Sequence, residues 1–172
     1  KKLHNIEIIQ QQTEEMDILI HRMLDLSRFD SPALKLNCEV FDFKPFIEKI
    51  LENYYVHTEH EIIFIYNSKA KIKADPAMLK TVLENLIDNA VKHTDDKNGI
   101  KITLHKNRFI IENHCKNLNE KDLCRIFEPY QTLSNSGGNG LGLSIVKTIC
   151  NLHNFKCSVS LENYVIKFIV NF

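Results

Sequence analysis

The sequence predicts an α+β domain: a two-layer sandwich in which helices cover one face of a mixed sheet, preceded by one long helix. Three observations carry this. Residues 2–28 hold no glycine or proline and repeat apolar residues seven apart, the spacing that keeps one apolar seam facing a partner helix. Past Pro32, period-two alternation is interleaved with helical periodicity. Two pairs of strand-like segments, 100–105 with 108–112 and 155–160 with 164–170, follow each other closely enough to be hairpin-like.

In the first segment Ile9, Met16 and Met23 form one heptad row, with Leu19 and Leu26 a second. Gln12 interrupts the seam, which suits a short bundle. Asp30-Ser31-Pro32 ends the helix, because the residue before proline is pushed out of helical geometry. Residues 1–31 are therefore separated from a second unit, 32–172. Leu34, Leu36, Cys38 and Val40 alternate with polar residues as a half-buried strand. Asp42 can cap a helix to about Glu59 that turns Phe46, Ile47, Ile50, Leu51 and Tyr54 inward, and Ile62–Tyr66 reads as a strand. Asp75-Pro76 is a strong helix start, a capping carboxylate followed by proline at the first helical position. That helix runs to about Thr94 and buries Leu79, Val82, Leu83, Leu86 and Ala90. A hairpin turning at Lys106-Asn107, a short helix from Glu120 to Ile126 that Asn119 can cap, a polar stretch 131–139, a helix from about Leu141 to His153 and two closing strands complete the order.

Composition removes several classes of function. Lys+Arg and Asp+Glu are both 22, so no global field draws the chain to nucleic acid. The longest apolar run, Ile62–Tyr66, is far too short to span a membrane, and Lys1-Lys2 opens no signal peptide. Five cysteines with no C-x-x-C pair point to reduced, mostly buried thiols in a cytosol, not to a disulfide scaffold or zinc site.

Glycine is scarce, five in 172 residues, and four of the five are Gly137, Gly138, Gly140 and Gly142. The cluster runs into a helix, where free backbone N–H groups meet the positive end of the helix dipole and can cradle an anion. It is neither a dinucleotide fingerprint nor a P-loop, since no lysine follows until Lys147; a plain flexible loop has the same pattern. Asn85, Asn89 and Lys92 share one stripe of their helix, roughly opposite the apolar one. Two amides and an ammonium suit a hydrated magnesium and phosphate oxygens. The chain has 17 asparagines, so this spacing alone equally describes a solvated face.

The combination is more specific. Residues 83–94, Leu-Glu-Asn-Leu-Ile-Asp-Asn-Ala-Val-Lys-His-Thr, resemble the N box of bacterial two-component sensor histidine kinases. Glu112-Asn113 stands where that family reads adenine, Phe127-Glu128-Pro129-Tyr130 resembles its F box, and Gly138–Ser144 its second glycine box. Glu15–Arg28 is similar to the second helix of the family's dimerisation hairpin.

The resemblance implies a Bergerat-type ATP-binding fold shared with gyrase-type ATPases, binding ATP and Mg2+. It implies Asn89 as magnesium ligand with Asn85 assisting, Lys92 as phosphate contact, and His93 near the ribose or phosphates. It places the backbone of Gly138, Gly140, Leu141, Gly142 and Leu143 at the phosphates, with Tyr130–Asn139 as a lid. The implied activity is transfer of the γ-phosphoryl to a histidine on an upstream helix, then to a response-regulator receiver domain. The implied partners include the protein's own dimerisation helices, as a homodimer when full length, in the cytoplasm. His4 and His21 lack the family's phosphoacceptor context, so the acceptor is expected upstream of this chain.

Two features bear on the other classes of function. ATP-hydrolysing relatives carry glutamate where Asn85 stands, and an amide cannot take a proton from water; an ATP-driven conformational clamp is the alternative this disfavours. The usual D-x-G-x-G of the first glycine box is here Asn113-His114-Cys115-Lys116-Asn117, with neither aspartate nor glycine. A degenerate, non-catalytic interaction module is the alternative that this loss allows.

Overall fold

The computed structural model describes residues 2–29, 34–67, 70–94, 99–116, 118–131 and 139–172. The chain divides into two compact units, Lys1–Leu34 and Lys35–Phe172.

The first unit holds α1, Lys2–Phe29. Its 28 residues extend for about 42 Å at the usual helical rise. Ile9, Met16 and Met23 of the expected seam are exposed, as are Ile6, Ile18, Ile20 and Leu24. His21 is engaged by its own helix, with Nδ1 2.9 Å from the Asp17 carbonyl oxygen.

The second unit runs β1 (Glu39–Asp42), α2 (Phe43–His57), β2 (Ile62–Tyr66), β3 (Lys71–Ala74), α3 (Pro76–His93), β4 (Ile100–His105), β5 (Arg108–His114), α4 (Glu120–Leu123), α5 (Gly142–Leu152), β6 (Lys156–Glu162) and β7 (Val165–Asn171). The main sheet has the order β2-β4-β5-β7-β6, and β1 and β3 form a separate antiparallel pair. β2 lies parallel to β4 and all other neighbours are antiparallel, so the main sheet is mixed as expected.

One face of that sheet is the core. Ile100, Ile102 and Leu104 of β4, Phe109 and Ile111 of β5, and Ile166, Phe168 and Val170 of β7 are buried on it, and α3 packs against β5 on one side and α5 on the other. The opposite face carries an ion-paired cluster: Glu112 is bridged by Lys101 at 3.2 Å and Lys167 at 3.4 Å, its cross-strand neighbours. Alternation therefore decides which residues of β5 point toward the helices, and Asn113 continues the buried set begun by Phe109 and Ile111.

Four local expectations are corrected. The strand drawn over Leu34–Val40 forms at Glu39–Asp42 instead, because its partner β3 ends at Ala74 and the next residue, Asp75, takes the Asn37 N–H on its carboxylate at 2.9 Å. β3 itself escaped notice. Asp42 makes no side-chain cap; the Phe43 N–H goes to the Ala70 carbonyl at 2.9 Å. The short helix ends at Leu123, not Ile126. Of the five cysteines only Cys150 and Cys157 are buried. The Cys150 thiol hydrogen-bonds Cys157, and that bond with burial pushes Cys150 well above the usual thiol range.

Asp75 holds the start of α3. Its Oδ1 accepts from the N–H groups of Ala77 at 3.1 Å and Met78 at 3.2 Å, and its own N–H donates to His153 Nε2 at 3.0 Å. The His153 Nδ1 sits 2.9 Å from the Ile149 carbonyl, so Nδ1 carries the proton and Nε2 accepts.

Candidate functional site

The N-box helix α3, the end of β5 and the start of α5 carry the predicted residues. Asn85 and Asn89 are half-buried on α3, whereas Lys92 in its last turn is exposed. The Asn85 stripe is therefore not a fully solvated face opposite the core. The beginning of α5 covers it: a Cβ placed on Gly142 would stand 2.8 Å from Asn85 Oδ1. The Asn85 Nδ2 donates to the Thr81 carbonyl at 2.8 Å, which fixes the amide. His93 is half-buried, and Thr94 closes the helix with its N–H on the Ala90 carbonyl at 3.0 Å.

In the loop between α4 and α5, the Phe127 ring packs edge-on against Phe168 at 6.3 Å between centroids, with Lys147 Nζ over it at 5.8 Å. Tyr130 follows, exposed and in the left-handed region at φ +64°. Its N–H donates to the Gly140 carbonyl at 3.0 Å. The two ends of the expected lid are thus tied together. Gly140 sits at φ +66°, and a Cβ there would come within 2.7 Å of the Tyr130 carbonyl carbon and 2.8 Å of the Gln131 nitrogen. Backbone approach across the loop's base accounts for Gly140, and Asn85 accounts for Gly142. Gly138 and most of the lid, 132–138, lie outside the described residues.

Leu141, fully buried, anchors the start of α5 and contributes no side-chain cap. The first-turn N–H groups of α5, from Gly142 and Leu143 onward, have no acceptor within the helix. Ser144 is occupied elsewhere, its hydroxyl donating to the Leu141 carbonyl at 2.8 Å.

At the other end of the site, Asn113 is only 3% exposed, and its Oδ1 has no hydrogen-bond partner among the described residues. Its Nδ2 reaches only the His114 carbonyl, at 3.4 Å. A buried amide oxygen without a donor costs about 1–3 kcal/mol, and Asn113 Oδ1 is left needing a donor among the described residues. An exocyclic amino group of a base fits that need. Thr94 Oγ1 and His114 Nδ1 are likewise buried without partners. Sequence reasoning singled out neither; an unpaired atom has no signature in a one-dimensional pattern. Among the described residues no group of three or more His, Cys, Asp or Glu could hold a metal ion. On α3 the amide oxygens of Asn85 and Asn89 are hard donors on one stripe, while the carboxylates of Glu84 and Asp88 are engaged by Lys80 and Tyr54.

A family model described as histidine kinase-, DNA gyrase B-, and HSP90-like ATPase matches residues 74–170, more than half of the chain. The chain belongs to this ATPase family. The matched span opens at the end of β3 and closes in β7, and so contains α3, Asn113 and the start of α5.

Within the family, the sensor histidine kinase YvrG of Bacillus subtilis is 25% identical over 160 residues, covering 86% of this chain and 28% of YvrG. The chain thus spans little more than a quarter of such relatives. The histidine kinase ThkA in its complex with response regulator protein TrrA is 26% identical, with a TM-score of 0.75 over 96% of this chain and 49% of that one. Full-length ShkA in complex with AMPPNP shares the fold at a TM-score of 0.81 and 21% identity, covering 97% of this chain and 37% of that one. No helix among the described residues is long and apolar enough to cross a membrane.

Proposed function

We propose that this chain is the ATP-binding kinase part of a sensor histidine kinase, and that residues 1–31 are the second helix of its dimerisation hairpin. The single observation that carries the nucleotide reading is Asn113. It is a buried amide with an unsatisfied oxygen, on the sheet face covered by α3 and α5, inside the ATPase family span.

In this reading Asn113 accepts from the adenine amino group. Asn89 offers its amide oxygen to Mg2+ with Asn85 beside it, and the metal supplies charge neutralisation at the phosphates. Lys92 and His93 at the end of α3 contact phosphate or ribose. The backbone at Gly138, Gly140, Leu141, Gly142 and Leu143 faces the phosphates at the positive end of α5, and Tyr130 begins the lid that covers them. Asn85 cannot serve as a base toward water, which favours transfer over hydrolysis. The acceptor is a histidine on an upstream helix, and the phosphoryl passes to a response-regulator receiver domain, as the ThkA–TrrA complex suggests. The exposed Ile9, Met16 and Met23 row on α1 suits a homodimeric helical bundle in the cytoplasm.

A chain carrying the upstream helix, given γ-labelled ATP and magnesium, tests this. The expected label is acid-labile and alkali-stable and is lost in Asn89→Ala. Acid-stable label, or release of phosphate alone, would refute the assignment, the second in favour of the clamp ATPase.

A further inference from the structure

The geometry points to a base pocket that takes 6-oxopurine as well as 6-aminopurine nucleoside triphosphates, with Asn113 as the residue that sets this tolerance. It rests on the nucleotide-binding reading above and goes beyond it in the class of substrate.

Base discrimination at a buried site comes from groups with a fixed hydrogen-bonding sign. A carboxylate only accepts; it suits the amino group of adenine and repels the carbonyl oxygen of a 6-oxopurine. Asn113 has no such sign. Its amide carries an acceptor and a donor, interchanged by a half-turn of the side chain. In one orientation Oδ1 accepts from a 6-amino group while Nδ2 donates to N1 of the ring. In the other Nδ2 donates to a 6-carbonyl oxygen while Oδ1 accepts from N1–H. Both purine types leave the amide satisfied.

That argument needs the amide free to turn, and its surroundings allow it. Among the described residues, the Asn113 side chain makes only the 3.4 Å contact of Nδ2 with the His114 carbonyl, long for an N–H···O bond. Asn85 in the same chain shows the contrast, its Nδ2 held on the Thr81 carbonyl at 2.8 Å. Around Asn113 the cross-strand partners Ile100 and Ile166, and Ile111 on the same strand, are apolar and buried. The neighbouring carboxylate, Glu112, turns to the opposite face and is held by Lys101 and Lys167. Among the described residues, the sheet neighbours of Asn113 on this face carry no charge that takes the place of a carboxylate.

Calorimetric titration of the chain with ATP and with inosine triphosphate, both with magnesium, tests the inference; inosine carries the 6-carbonyl without the 2-amino group of guanine. The wild type should bind the two within about tenfold of each other, because neither leaves a buried polar group unpaired. Asn113→Asp should retain ATP and weaken inosine triphosphate at least tenfold more than ATP. A wild-type preference for ATP above a hundredfold overturns the inference and leaves the ATP reading standing, as does a ratio that a folded Asn113→Asp does not move. Absence of saturable binding by either nucleotide overturns both. The wild-type ratio decides the matter if Asn113→Asp fails to fold.

Discussion

Asn85 Oδ1 occupies the space that a side chain on Gly142 would need, 2.8 Å from the position of its Cβ. The N-box helix and the glycine-rich helix start are therefore one packed unit, with the amide held in place by its bond to Thr81. Gly142→Ala should destabilise the chain by about 1–2 kcal/mol through overpacking. Asn85→Ala added to it should return part of that loss, a non-additivity expected only for residues in contact. Chemical denaturation of the three variants measures it; strict additivity would show that the two do not meet.

Gly140 is constrained by backbone, which cannot yield as a side-chain tip can. With φ at +66° and the Tyr130 and Gln131 backbone within 2.9 Å of a Cβ, Gly140→Ala should cost about 1–3 kcal/mol. The Tyr130–Gly140 hydrogen bond should open with it, seen as faster amide exchange at Tyr130.

Much of this arrangement was legible in the sequence, and the limits have physical causes. α3 was placed almost to the residue because its signals are local: a capping Asp75, proline at the first helical position and an apolar stripe. The hairpin strand was expected to end at Glu112, just short of Asn113, which lies within β5. β3 was missed because four residues, Lys71–Ala74, are too few for a period to register. The reason for Gly142 was invisible because it lies 57 residues away on α3, in Asn85. A glycine cluster read as bare backbone for an anion is, at Gly140 and Gly142, also bare backbone for the protein itself.

Asp75 and His153 join β3, α3 and the end of α5. Asp75→Ala removes a buried carboxylate that accepts three N–H groups, and should cost about 2–3 kcal/mol. His153→Ala strands the Asp75 N–H and should cost about 1–3 kcal/mol. Urea denaturation of the single and double variants should show coupling, since both remove parts of one network.

Tyr54 of α2 donates its hydroxyl to Asp88 Oδ1 of α3 at 2.6 Å. Burial first, then the bond to Asp88 and its charge, raise the phenol well above its ordinary 10.0. A raised folded-state value means the stabilisation is fully present below about pH 10 and is lost as pH climbs toward the folded value. Tyr54→Phe should cost about 1 kcal/mol at neutral pH, and the difference from wild type should shrink above pH 10. Ultraviolet absorbance should show one fewer high-pH phenolate in the variant.

Calorimetric titration of the chain with ATP and magnesium, on wild type, Asn89→Ala and Asn113→Ala, tests the central claim most directly. The account predicts one saturable site in the wild type, weakened at least tenfold in each variant while the melting transition stays cooperative. A folded wild type with no saturable binding, or variants that bind as tightly as wild type, would contradict it.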